Sequence, residues 1–147
     1  MDKKKVIEEV KRQLDDRLQV AWKAMEAAQE SANDQSKSSM GDKYETSRSM
    51  GQLDRNMYAR QYEQIRQERV IMERIGEEAS ERVAIGSLLQ TTAGWFFFFV
   101  SLGNIQVENE SVLVVSAASP VGASLLGTRS AEPFAFMKGE QSIKQIF

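Results

Sequence analysis

The sequence predicts an α+β chain: an N-terminal antiparallel two-helix hairpin, then a small antiparallel β domain with one short helix. Three observations predict it. Residues 1–82 hold 33 of the 40 charged side chains, and residues 83–147 hold the other 7. Apolar residues recur at heptad spacing in the first part. In the second part, short apolar runs alternate with Gly and Asn turns, and both prolines, Pro120 and Pro133, lie there. The expected domains are therefore 1–82, a coiled-coil hairpin, and 83–147, a compact domain.

In the first helix Leu14, Leu18, Ala21, Met25, Ala28 and Ala32 recur at alternating spacings of four and three, continued less regularly upstream by Ile7 and Val10. A polar stretch, Asn33 to Gly41, interrupts the pattern. Met50, Leu53, Met57, Tyr58, Tyr62, Ile65, Met72 and Ile75 then predict a second helix with a seam that shifts once. Between Asp42 and Ser80 only Gly51 and Gly76 weaken it. Two helices of this length joined by a short loop form an antiparallel hairpin about 45 Å or more long. The same periodicity also suits a dimerisation coiled coil.

The second part reads as strands over 83–90, 95–102, 105–107 and 112–116, an antiparallel meander closed by strands at 134–137 and 142–146. Phe96 to Phe99 do not alternate, so both faces of that strand should be covered. Ser119 suits the N-cap of a short helix, Pro120 its first turn and Gly127 its end. A domain of this size is marginal alone, and packing against the hairpin base should help it.

Composition removes several chemistries. The 147 residues include no Cys and no His, which excludes disulfides, the common zinc sites and Cys–His or Ser–His nucleophiles. Any metal must sit on oxygen ligands, which favours magnesium, manganese or calcium. A net charge of −2 gives no case for general nucleic-acid binding. The opening MDKKKVIEEV has no apolar core of a secretory signal, and the apolar run Trp95 to Val100 is far too short to span a membrane. The expectation is a soluble, cytoplasmic chain with no membrane partner.

Two local motifs carry a resemblance. Gly41-Asp42-Lys43-Tyr44-Glu45 matches a Gly-Asp-x-x-Glu pattern at the start of the second helix. Ser119-Pro120-Val121-Gly122-Ala123-Ser124-Leu125-Leu126-Gly127 matches a Ser-Pro…Leu-(Leu/Ile)-Gly pattern. In this order and at this distance they resemble the Gre-type bacterial transcription elongation factors, an antiparallel coiled coil followed by an FKBP-like domain. The resemblance implies that the hairpin enters the secondary channel of RNA polymerase. Asp42 and Glu45 would there help hold a catalytic magnesium ion, shared with the polymerase and absent from the isolated protein. The polymerase's own site then cuts a backtracked transcript, so this chain is not itself an enzyme. Ser119 and Pro120 would contact the channel rim, and the chain is expected to be a monomer.

The residues also admit plainer readings. Asp-x-x-Glu at a helix start is a capping box as well as a carboxylate pair. Thr46-Ser47-Arg48-Ser49 replaces the family's usual Asn-Ala-Glu-Tyr, which leaves open a regulator that occupies the channel without stimulating cleavage. Ala118 stands where an Asp or Asn often precedes Ser-Pro. Arg48, Arg55 and Arg66 fall within about 20° of one line on the second helix, a stripe for nascent RNA or a solvated face paired by Glu45 and Glu63. A third reading is an FKBP-like chaperone or prolyl isomerase with a helical dimer arm, its pocket lined by Trp95 and Phe134.

Overall fold

The structure is a computed structural model that describes the backbone of residues 1–35 and 41–147 and the side chains of residues 1–33 and 49–147. Two 33-residue helices, α1 (Lys3–Gln35) and α2 (Gly41–Glu73), precede strands β1 (Leu88–Thr91), β2 (Gly94–Phe99), β3 (Gly103–Val107) and β4 (Glu110–Ser116). Helix α3 (Pro120–Leu125) follows, then β5 (Pro133–Phe136) and β6 (Gly139–Ile146). This is the expected α+β architecture. The chain divides into two compact units: Arg12–Ile71, and Met1–Lys11 together with Met72–Phe147.

In the helical unit α1 and α2 run antiparallel, as three cross-helix pairs show. Ala32 lies against Gly51, Trp22 against Tyr62 with ring centroids 5.4 Å apart, and Arg69 Nε donates to Asp15 Oδ1 at 2.9 Å. On α1 the seam is the expected one, with Leu14, Ala21 and Ala32 buried. On α2 it is not. Met50, Leu53 and Met57 are 61%, 67% and 39% exposed, whereas Gly51, Arg55, Tyr58, Tyr62, Ile65 and Arg69 turn inward at unbroken heptad spacing. Gly51 sets this register. A Cβ there would lie 2.9 Å from the Ala32 Cβ, so only glycine lets the backbones approach so closely. The helix also stops earlier than expected, at Glu73, ahead of Gly76. Ile75 lies beyond the helix, where a Cβ on Gly86 (φ +92°) would press into its side chain at 2.7 Å.

The other unit holds one six-stranded sheet in the order β3-β4-β2-β1-β6-β5. It is mixed rather than a wholly antiparallel meander, because β2 pairs with β4 in parallel. Composition explains the exchange. β4 (ESVLVVS) is covered on both faces and suits a central place, whereas β3 (GNIQV) exposes alternate residues and suits an edge. The chain therefore leaves β2, crosses the end of β4 through Val100–Leu102, and returns as a hairpin. Glu108 (φ 54°) and Asn109 (φ 65°) close that hairpin as a two-residue turn of type I′.

Both faces of β2 are buried, as its four consecutive phenylalanines imply. Phe96 and Phe98 join Leu89, Val115, Leu125, Phe134 and Ile143 in one core cluster. Phe97 and Phe99 point to the opposite face, along with Leu88, Val112 and Val114, all buried. Val6, Ile7 and Val10 of α1, and Met72, are further buried apolar residues of the same unit.

Candidate functional site

The candidate residues occupy two places. The first is the start of α2. The helix begins at Gly41, so positions 42 and 45 open it; the side chains of Asp42 and Glu45 lie outside the described residues, as does that of Arg48. What the chain contributes there is a donor set. Two carboxylates three residues apart are hard oxygen ligands of the kind magnesium takes. Among the described residues no group of three or more acidic side chains gathers to hold a metal.

The second is the loop before α3, where the local chemistry is fully described. The Ser116 carbonyl accepts from the Ser119 backbone N–H at 3.1 Å and from Ser119 Oγ at 2.8 Å. Ser119 is extended (φ −82°, ψ 154°), and its Oγ accepts from the Gly122 N–H at 3.1 Å, a true N-cap. Pro120 occupies the first turn and is exposed, where its missing N–H costs nothing. Gly122 is buried, and a Cβ on it would overlap the Ser116 carbonyl oxygen. At the far end Gly127 (φ +80°) turns the chain, and its N–H donates to the Val83 carbonyl at 3.0 Å. Ser124 Oγ accepts from the Ala135 N–H at 2.6 Å, tying the helix to β5. The result is a short, rigidly held turn that presents Ala118 and Pro120 to solvent beside a half-buried Ser119. An open cleft of about 450 Å³, lined by Ser124, Pro133, Phe134, Met137 and Lys138, lies at the other end of α3.

Other sequence candidates separate. Arg66 donates to Glu63 from Nε at 2.9 Å and from a terminal nitrogen at 2.6 Å. That pairing lowers the carboxyl pKa of Glu63 and raises that of the guanidinium. Arg55 is half-buried in the helix seam. The described part of the line is thus divided: Arg66 is exposed and paired within its own helix, and Arg55 lies in the seam. Trp95 and Phe134 do not share a pocket: Phe134 is in the core, edge-on to Phe96, while Trp95 lies 5.7 Å from the Phe147 ring. One feature missed in the sequence is the exposed apolar line Met50-Leu53-Met57. Its i, i+3, i+7 spacing is a core pattern, and only the Gly51–Ala32 contact reveals that it faces out.

No family model matches the chain, and no curated protein matches it. Among solved structures it is similar to the crystal structure of GreA factor homolog 1 (Gfh1) of Thermus thermophilus. Identity is 17% over 93% of this chain and 94% of that one, with a TM-score of 0.40. A second structure of the transcription factor Gfh1 gives 17% identity, 92% coverage of each chain and a TM-score of 0.38.

Proposed function

We propose that this chain is a Gre-like factor that binds RNA polymerase through its secondary channel and promotes cleavage of backtracked transcripts. The observation that carries the reading is the placement of the two motifs. Gly41-Asp42-x-x-Glu45 opens the second arm of a long helical hairpin, and Ser119-Pro120 caps a short helix in a separate compact unit. Asp42 and Glu45 would hold magnesium jointly with the polymerase. When bound there, the metal supplies charge neutralisation for the attacking and leaving oxygens of the phosphodiester. The chain's own share is positional. A hairpin about 50 Å long carries a carboxylate pair to its turn. The Ser119 cap fixes the exposed Pro120 ring as a rim contact. The FKBP-like isomerase reading gains no support from these two aromatics: Phe134 packs edge-on to Phe96 in the core, and Trp95 packs beside Phe147.

The test uses stalled, backtracked complexes of the cognate polymerase. RNA should shorten faster with this protein and magnesium present. Asp42→Asn and Glu45→Gln should each lower the rate about tenfold or more, the scale of a lost metal ligand, while binding and helicity persist. Cleavage that survives both changes leaves these residues as a capping box. A native chain that binds without stimulating cleavage makes it the non-cleaving regulator, the reading that Thr46-Ser47-Arg48-Ser49 favours.

A further inference from the structure

The two edges of the sheet are treated differently. At the β5 edge Pro133 has no N–H to offer, and the outward N–H of Ala135 is taken by Ser124 Oγ. That edge offers a second strand no free N–H from Pro133 or Ala135. At the β3 edge the type I′ turn fixes the register, so Val107, Ile105 and Gly103 exchange hydrogen bonds with Glu110, Val112 and Val114. The N–H and C=O groups of Asn104 and Gln106 therefore point away from the sheet. Among the described residues nothing bonds to them. The strand has no Pro, no Lys and no bulge, the usual guards of an exposed edge. Nor is it frayed: Ile105 and Val107 are buried, so the open groups are held in place.

We propose that β3 is a self-pairing edge, joining antiparallel to β3 of a second copy of this chain about a two-fold axis at Ile105. The free groups are symmetric about that residue. Asn104 faces Gln106 of the second copy, and each pair exchanges two backbone hydrogen bonds, four in all. The exposed amide side chains meet across the pair and can bond as well. Charge also permits it. Residues 103–107 carry none, and the neighbouring Glu108 is already paired with Lys5 at 3.4 Å, so the approach brings no unmatched like charges together. An isologous contact needs one self-complementary patch, which this edge supplies. Edge pairing alone covers much less than the roughly 1,200 Å² of a stable interface, so the dimer is reversible and concentration-dependent.

Sedimentation of the full chain over rising concentration, with amide exchange of Asn104 and Gln106, tests this. The mass should climb from monomer towards dimer, and both amides should gain protection as it does. Gln106→Pro removes an outward N–H that the β3–β4 ladder does not use, so the sheet should stand and association fall about tenfold or more. Should that variant not fold, Asn104→Lys with Gln106→Lys leaves the backbone untouched and sets like charges opposite each other. A native chain that stays monomeric up to its solubility limit overturns the proposal. So does association that these variants leave intact, or association that Leu53→Glu on the outer line of α2 abolishes instead.

Discussion

Gly122→Ala is the substitution whose outcome the geometry fixes most sharply. An added Cβ would overlap the Ser116 carbonyl oxygen and sit 2.5 Å from its carbon, and both are backbone atoms. The carbonyl must swing aside, and it is the acceptor for the Ser119 N–H and Oγ. The Ser119–Gly122 capping bond is lost with it. Overpacking costs about 1–3 kcal/mol, and each of three hydrogen bonds about 0.5–1.5 kcal/mol. The gain from Ala in a helix returns at most about 1 kcal/mol. Central values give a net destabilisation of about 4 kcal/mol. Urea unfolding reads it, followed by Trp95 fluorescence in a Trp22→Phe background, because Trp95 lies in β2 of the same unit. At an m-value of about 2 kcal/mol/M the midpoint should drop by about 2 M. Ser119→Ala, which loses the cap but adds no bulk, should drop it by about 0.5–1 M. A Gly122→Ala midpoint within about 0.3 M of the native one would refute the packing argument.

Two further outcomes follow from the helical unit. Gly51→Ala would set a Cβ 2.9 Å from the Ala32 Cβ and 3.2 Å from its Cα, so the helices must part. It should lower the melting temperature by a few degrees, followed at 222 nm, and Ala32→Gly in the same chain should restore it. Burial raises the Glu68 carboxyl pKa above 4.5, with the charge of Arg17 pulling the other way. The folded chain thus holds a proton in a window above pH 4.5 that the unfolded chain has lost, so stability falls as pH rises through that window. Glu68→Gln should raise stability near pH 7 by a few tenths of a kcal/mol, because the group is partly in water. It should change nothing below about pH 4, which paired denaturation curves would show.

The legible parts of this fold are those where one residue type admits one environment. Four consecutive phenylalanines cannot alternate, and they lie in a strand covered on both faces. Ser-Pro ahead of small residues gives a capped short helix, and the Ser119 and Pro120 geometry follows from it. The α2 seam was legible from Tyr58 onward but not before it. Its inward positions include Gly51, Arg55 and Arg69, while the apolar Met50, Leu53 and Met57 face solvent. Periodicity weighs hydrophobicity, but the register is set by how closely two backbones approach. The parallel β2–β4 pair was hidden for a related reason. Successive strands usually neighbour one another, and only the half-polar pattern of Gly103–Val107 marks that strand for an edge.

Charge density changes near residue 83, but burial follows a different line. A sheet with two apolar faces needs two coverings, and α3, of six residues, belongs to the cluster on one of them. The first turns of α1 are in the same unit as the sheet and supply Val6, Ile7 and Val10, all buried. Two polar ties hold them there. The buried Lys3 ammonium donates to the carbonyls of Glu78 at 2.9 Å and Phe147 at 3.0 Å, and Lys5 pairs with Glu108 on the β3–β4 turn. Burial lowers the Lys3 pKa, and Glu77 partly offsets that. This accounts for the irregular spacing at the head of the heptad series. Leu14, Ala21 and Ala32 answer to a partner helix and keep its period. Ile7 and Val10 do not keep it, because that stretch of α1 belongs to the compact unit of the sheet rather than to the helical one. One continuous helix thus serves two packing partners in turn, and the loss of periodicity upstream of Leu14 marks where the first gives way to the second.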